Sequence, residues 1–302
     1  MLLLSAGLIV LKNDAKLVKV LALSGLVATV SAVFSLGYFI HESRALGYVE
    51  RLPGYGALSN PLLTAHVYGA FACYWLVRLL VPVPAEKRIL PLCCLSILAI
   101  LLIATGSRTP FLALGVALIW LVLATARLRV VLIGLFAIVV LVFMQYVLTE
   151  YVLTEHVWQG FSYRPKIWLL TLQQIAEKPW FGYGYTSPTV ISGEDLPFSM
   201  AHPHNVVLLV AYQGGLVGLI LWGAIYVYSL RFAWRQRQNN LVLIASTWLV
   251  YGLGAGLTDS PHIMPRPNEV WFLIWIPLAL LLAAGWAGKR ANVSETLGDG
   301  VK

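Results

Sequence analysis

Apolar residues run in long blocks along this chain, and polar residues collect between the blocks. Crossing a bilayer core takes about 20 mostly apolar residues in a helix. On that measure the blocks predict helices at about 19–40, 60–81, 89–105, 109–126, 129–148, 204–230, 241–257 and 270–287. A further apolar run, residues 2–11, is too short to span alone and lacks the positively charged start of a signal peptide. Connections are short with one exception. From about Leu148 to Gly218 the sequence turns polar and aromatic, reading FSYRPKIWLLTLQQIAEKPWFGYGY, then a loop, then AHPHNVVLLVAYQGGLVG. Connections of that length are functional or disordered. This one carries Trp158, Trp168 and Trp180 with amphipathic spacing, which predicts a folded, membrane-adjacent element rather than a linker.

Composition agrees with the pattern. Of 302 residues, 59% are hydrophobic and 11% charged, and the mean hydropathy is +0.80. The class expected is an all-α polytopic membrane protein of about eight to nine transmembrane helices, with a long, partly helical outer loop at about 149–203. One domain, 1–290, is expected, followed by a disordered cytoplasmic tail at 291–302. The YVLTE at 146–150 recurs at 151–155, a period that fits neither helix nor strand and reads as a local duplication. Cys73, Cys93 and Cys94 lie in apolar runs without zinc-site spacing and read as packing residues.

The net charge of +8 matches nucleic-acid binding in sign, but the placement of the charges points elsewhere. Lys12, Lys16, Lys19, Lys87, Arg88, Arg127, Arg129, Arg231, Arg235, Arg237, Lys289 and Arg290 fall in alternate loops. With Arg78 and Lys302 these make 14 of the 21 Lys and Arg residues, accompanied by only Asp14, Glu86, Glu295 and Asp299. Loops rich in Lys and Arg stay cytoplasmic. The other loops, with Arg44, Arg51, Arg108, Arg164, Lys166, Lys178, Arg266 and nine acids, are therefore placed outside. This topology starts the chain outside, and a ten-residue segment cannot bring it across. The expectation is a fragment or a variant lacking upstream helices; the alternative is a re-entrant or interfacial first segment.

The candidate chemistry gathers on the outer side. Arg108, beside Gly106 and Ser107 and just before Thr109-Pro110, opens a helix whose N-terminus favours an anion. The competing reading is an arginine that snorkels to the interface. Arg164 and Lys166 stand at the positive end of the helix predicted to start at Pro165. An arginine fork there suits a diphosphate, and Ile167, Trp168, Leu170 and Ile175 form an apolar face expected to lie on the membrane. An ordinary interfacial anchor is the alternative. His202 and His204 flank a proline before the next helix. His204 suits a general base, and Asn205 can orient it or bind a sugar hydroxyl. The alternative is an interfacial histidine pair without chemistry. Metal binding is weakly supported, because two histidines two apart have no third fixed ligand nearby. Gly214, Gly215 and Gly218 offer a small-residue face for close helix packing. Asp259, His262, Arg266 and Glu269 are expected to pair within the last outer loop, and Arg51 is a further phosphate-binding candidate. Walker, dinucleotide, nucleophile-elbow and zinc-protease motifs are absent, so ATP-driven chemistry is unsupported.

Taken in order, these motifs resemble the O-antigen ligase and polymerase superfamily of bacterial envelope enzymes. The resemblance rests on Arg51 with Gly56 and the NP at 60–61, SRT at 107–109 leading to Leu112, Arg164 before a Trp, the PWFGYG that follows, and His204-Asn205 ahead of GLVG at 215–218. It covers about residues 45–230. It implies a multi-pass inner-membrane enzyme with its active site facing the periplasm. Such an enzyme moves a glycan from undecaprenyl diphosphate to lipid A-core oligosaccharide, without metal or other cofactor. It implies that Arg108 and Arg164 hold and stabilise the leaving diphosphate and that His204 takes the proton of, or positions, the acceptor hydroxyl. Arg51, Lys166, His202, Asn205 and Arg266 are the expected substrate-binding residues. The chain is short for the family, whose members have about twelve spans. A polymerase joining two lipid-linked repeats uses the same motifs. From other classes, an anion transporter requires charges within the spans, against the pattern here, and a non-catalytic envelope partner is the remaining alternative.

Overall fold

The structure is a computed structural model describing residues 14–47, 51–55, 58, 60–81, 88–125, 132, 134, 139, 142–143, 163–193, 196, 199–260, 262–263 and 270–285. The apolar run 2–11, the YVLTE duplication, the first part of the long loop, Arg266 and the tail 291–302 lie outside the described residues.

The helices follow the predicted blocks. They are α1 (Asp14–Leu46), α2 (Pro61–Leu80), α3 (Ile89–Ala104), α4 (Thr109–Thr125), α5 (Arg164–Glu177), α6 (Val206–Arg235), α7 (Asn240–Gly256) and α8 (Trp271–Gly285). Leu132, Gly134, Val139, Val142 and Phe143, from the predicted 129–148 block, are also helical. Local sequence sets the ends. Asn60 and Asn239 cap α2 and α7 by accepting from backbone N–H groups of the first turn. Pro61 and Pro165 open α2 and α5. α1 overruns its predicted 19–40 by a turn or more at each end, and stops where Gly47 adopts φ 76.

α2 and α7 form the centre. Every residue of α2 from Thr64 to Arg78 is buried, as is nearly all of α7. Small residues let the neighbours close in: Gly252 meets the backbone of Leu273 in α8, Gly254 meets Ala113 in α4, and Gly69 meets the Tyr251 hydroxyl and Pro110. α8 opens with a π-helical turn, Trp271–Trp275, at that contact. Cys73 and Cys94 are buried in this core, whereas Cys93 is exposed.

α1 and α6 instead present apolar side chains outward, among them Leu23, Phe34, Ile220 and Leu221, each more than half exposed. Such faces belong against lipid. Three helices, Lys16–Leu46, Pro61–Leu80 and Val206–Arg235, are long and apolar enough to cross a membrane, and four shorter apolar helices pack beside them. The described residues are thus those of an all-helical membrane protein, apart from an isolated bridge between Ile191 and Met200.

α6 is broken, and the break organises the long connection. Its 30 residues are about 45 Å of helix, against about 25 Å for the 17 residues of α7. Yet the two are joined by a short link at one end and hydrogen-bonded through Asn205 and Leu257 at the other. The longer helix must bend, and it does so at Gly215, with φ 60 and ψ −158. Freed backbone groups there pair with the PWFGYG segment. Tyr183 and Gly184 donate to the carbonyls of Tyr212 and Gln213, and Leu216 and Val217 donate to those of Pro179 and Trp180. The glycines at 214, 215 and 218 therefore do not form the expected helix-packing face. Gly215 instead receives the backbone of Trp180 and Phe181, while nothing lies within 4 Å of a Cβ at Gly214.

α5 also departs from expectation. Ile167 and Thr171 are buried, and Ile167 forms a small core with Ile191 and Leu196, against which Leu170 and Met200 pack. The face expected to lie on the membrane is covered by the chain's own following loop. The large apolar residues that α5 leaves exposed are Leu169 and Leu172.

Candidate active site at one end of the helix bundle

The connections predicted to lie outside meet at one end of the bundle. Leu52 donates its N–H to the Ala104 carbonyl, and Arg51 Nε donates to the Thr105 carbonyl at 2.9 Å. The Thr258 hydroxyl donates to that of Thr109. Trp168 Nε1 donates to the Pro203 carbonyl, tying α5 to the HPHN turn. Residues far apart in sequence are thereby fixed around a shared space.

His204 is the centre of this cluster. Its backbone has φ 52, the one positive φ outside glycine among the described residues. The left-handed region costs an L-residue roughly 1–2 kcal/mol, so surrounding contacts must hold it. Asn205 supplies them. Its Oδ1 accepts from Val207 and Leu208 at the start of α6, and its Nδ2 donates to the Leu257 carbonyl at the end of α7. Both ends of the Asn205 amide are thus occupied by the fold, which makes it an orienting residue.

His204 Nδ1 lies 2.7 Å from Asp259 Oδ1. Asp259 sits just past α7, its N–H bonded to the Ala255 carbonyl, and its side chain is buried. Burial alone raises its pKa. The hydrogen bond to His204, then the imidazoles of His66, His204 and His202, outweigh burial and hold the carboxyl below its ordinary value. An ionised carboxylate only accepts hydrogen bonds, so Nδ1 carries the proton and Nε2 presents a lone pair. That is the arrangement of a base steered by an acid. Asp259 was expected to pair within its own loop; it pairs instead across 55 residues of sequence. A lone aspartate beside an apolar helix was the available signal.

The His202 ring packs on His204 with centroids 4.0 Å apart. Burial, then the neighbouring His204, pushes the His202 pKa down to about 4. His202, His204 and Asp259 bring three ligand atoms within 4.8 Å of one another. Folding thus supplies the third potential ligand that the sequence did not reveal.

The candidate cations lie at the same end of the bundle. Arg51 packs on Gly106, whose φ is 64 and where a Cβ would come within 3.0 Å of Arg51 Nε. Burial, then the charge of Arg164, lowers the Arg51 pKa, so two guanidinium groups share one neighbourhood. Like charges held together favour an anion between them. Arg164, at the start of α5, and Lys166, in the same first turn, are half-buried. Arg108 is exposed in the turn between the buried Ser107 and Thr109, the latter bonded to the Asp259 loop. Arg266 lies outside the described residues.

A histidine not counted among the candidates also belongs here. His66 is fully buried in α2, its Nε2 has no hydrogen-bond partner, and it is one of the groups that interact electrostatically with Asp259. An ionisable side chain inside an apolar helix is itself a functional signal.

Two comparisons with known proteins bear on this arrangement. A family model described as O-antigen ligase matches residues 93–223. An O-antigen ligase of Pseudomonas aeruginosa is 45% identical over 292 residues, covering 96% of this chain and 70% of that relative.

Proposed function

The chain belongs to the O-antigen ligase family, and from that footing we propose that it transfers a glycan from undecaprenyl diphosphate to lipid A-core oligosaccharide in lipopolysaccharide biosynthesis. In this reading the protein crosses the bacterial inner membrane eight times within the described and predicted helices. The His204 end faces the periplasm, with the described part of the long connection, from residue 163 onward, folded beside it.

The observation that supports the reading best is the His204–Asp259 pair at the end of the bundle that also holds the Arg51–Arg164 pair, with His66 interacting electrostatically with both Asp259 and Arg164. Transfer needs a base for an incoming hydroxyl and cations for a departing diphosphate. The acceptor oxygen attacks the anomeric carbon of the donor, and its proton passes to His204 Nε2. Asp259 stabilises the imidazolium that forms. The bond from the anomeric carbon to the phosphate oxygen breaks, with its electron pair leaving on the diphosphate, which stays attached to the undecaprenyl chain. Arg164, Arg108 and Arg51 take up that charge, with Lys166 adding to the field. Attack opposite the leaving group inverts the anomeric centre. Guanidinium groups do the work a metal would do at the phosphates, so the reaction is metal-independent.

The test is transfer in vitro by the purified protein with an undecaprenyl-diphosphate-linked glycan and lipid A-core, alongside His204→Ala. Transfer by wild type and its loss in the variant supports the ligase. Longer lipid-linked glycan without transfer to lipid A-core replaces it with a polymerase.

A further inference from the structure

We propose that His66 is a further contact for the donor, its Nε2 hydrogen-bonding a phosphoryl oxygen of the lipid-linked diphosphate; this rests on the reading given above.

The argument starts from a cost. His66 is 1% exposed, and its Nε2 has no hydrogen-bond partner. A buried polar atom left unpaired costs about 1–3 kcal/mol. The α2 residues that follow, Val67 to Trp75, are all buried and apolar or aromatic. A polar ligand would remove that cost.

Contacts place His66 on the membrane side of the arginines. Two residues before it, the Thr64 hydroxyl lies within hydrogen-bond reach of the Pro53 and Leu58 carbonyls, which tucks α2 beneath the loop of Arg51. One turn after it, Gly69 meets Pro110 at the start of α4. Its own carbonyl accepts from the Tyr251 hydroxyl of α7. His66 is thus held from three sides at the level between the Arg51 loop and the SRT turn. Its electrostatic partners are Asp259 of the base pair and Arg164 of the cation pair. Such a position, beside Arg164 and about 7 Å down the helix from Pro61, suits the end of the donor that joins the prenyl chain. The acceptor sugar approaches from the aqueous side and has no reason to reach it. An imidazole N–H can donate to a phosphoryl oxygen that the neighbouring guanidinium groups already attract.

The probe is undecaprenyl diphosphate itself, titrated into the full chain in nanodiscs, with wild type, His66→Ala, His66→Gln and Arg164→Ala compared. His66→Ala should weaken binding by about tenfold or more, the effect of one lost hydrogen bond to a charged group. His66→Gln, which keeps an N–H near the same point, should recover most of it. In transfer, the donor KM should rise while the acceptor KM stays constant, a split that a merely structural role would not produce. Should His66→Ala fail to fold, labelled imidazole nitrogen in the wild-type protein carries the test, because the His66 Nε2 resonance must move when the probe binds. Affinity within twofold of wild type in both His66 variants, or a stationary resonance at saturating probe, overturns the proposal. If Arg164→Ala weakens binding and the His66 variants do not, His66 alone is removed from the site. If wild type does not bind the probe, the diphosphate reading falls and the role of His66 falls with it.

Discussion

Replacing Asp259 with asparagine removes a charge and keeps the shape, which isolates what the carboxylate does for His204. The two side chains meet at 2.7 Å, with Asp259 buried and His204 about a fifth exposed. As His204 takes a proton, an imidazolium forms against this carboxylate. Two unit charges about 4 Å apart attract by about 4 kcal/mol at the effective dielectric of a protein near its surface. The partial exposure of His204 makes that a ceiling. A hydrogen bond to a charged group, worth about 1.5–3 kcal/mol, sets the floor. A loss near 2.7 kcal/mol corresponds to about a hundredfold in rate. The amide brings a second fault. If its NH2 turns toward Nδ1, it selects the tautomer with the proton on Nε2, the nitrogen that must act as base. Asp259→Asn should therefore lower kcat about a hundredfold and leave the donor KM near wild type. The assay is transfer at saturating donor and acceptor, with a melting curve on the same preparation. A kcat within threefold of wild type, in a variant that folds, would refute the steering role.

Four other outcomes are expected. Arg164→Lys should raise the donor KM by about tenfold or more, because lysine cannot form a planar two-point contact with phosphate; an unchanged KM would remove the fork from the argument. Gly215→Ala should destabilise the fold by at least about 1–3 kcal/mol, the cost of an L-residue in a glycine-only conformation, since its Cβ would also lie 2.4 Å from the Trp180 backbone; an unchanged melting temperature would show that the α6 break is dispensable. His202 refuses in the folded state a proton that a free histidine accepts near pH 6.5. Its contribution to stability is thus whole above about pH 6.5 and is lost as pH falls toward 4. Melting temperature should decline over that window, and His202→Gln should flatten the decline; an equal slope in both would assign it elsewhere. Finally, EDTA should leave transfer unaffected, whereas inhibition reversed by a divalent cation would show that His202, His204 and Asp259 hold a metal.

What the sequence made legible depends on the range of the interaction. Helices were readable because apolar blocks and their asparagine and proline ends are local. The end at which Arg51, the SRT turn, α5 and His204 meet was readable from alternating charge, a rule about every loop at once. The Asp259 pairing was not, because the last outer loop held nearer partners of both signs and nothing local favoured one 55 residues away. The break in α6 was hidden for a related reason. Gly214-Gly215 within an apolar block fits close helix packing as well as a kink, and only the approach of Pro179–Gly184 decides between them. The apolar face of α5 was correctly seen as apolar, but its partner lies in a loop without periodicity.

The strain at His204 follows from the same geometry. A helix cap and a carboxylate-paired imidazole fall on neighbouring residues: Asn205 must face both α6 and α7, and the imidazole must reach Asp259 across the turn. With Asn205 extended at φ −156 and ψ 119, the chain enters α6 from a direction that leaves His204 in the left-handed region. Glycine would relax that turn, but it carries no imidazole. The fold instead tolerates the strain and holds it with the Asn205 clamp on one side and the Trp168 bond to Pro203 on the other. This also accounts for the bend at Gly215. A straight α6 would carry Asn205 well past the end of α7 and leave the His204 imidazole without its carboxylate. The interaction between the PWFGYG backbone and the broken helix, remote from the chemistry in sequence, is what brings His204 down to Asp259.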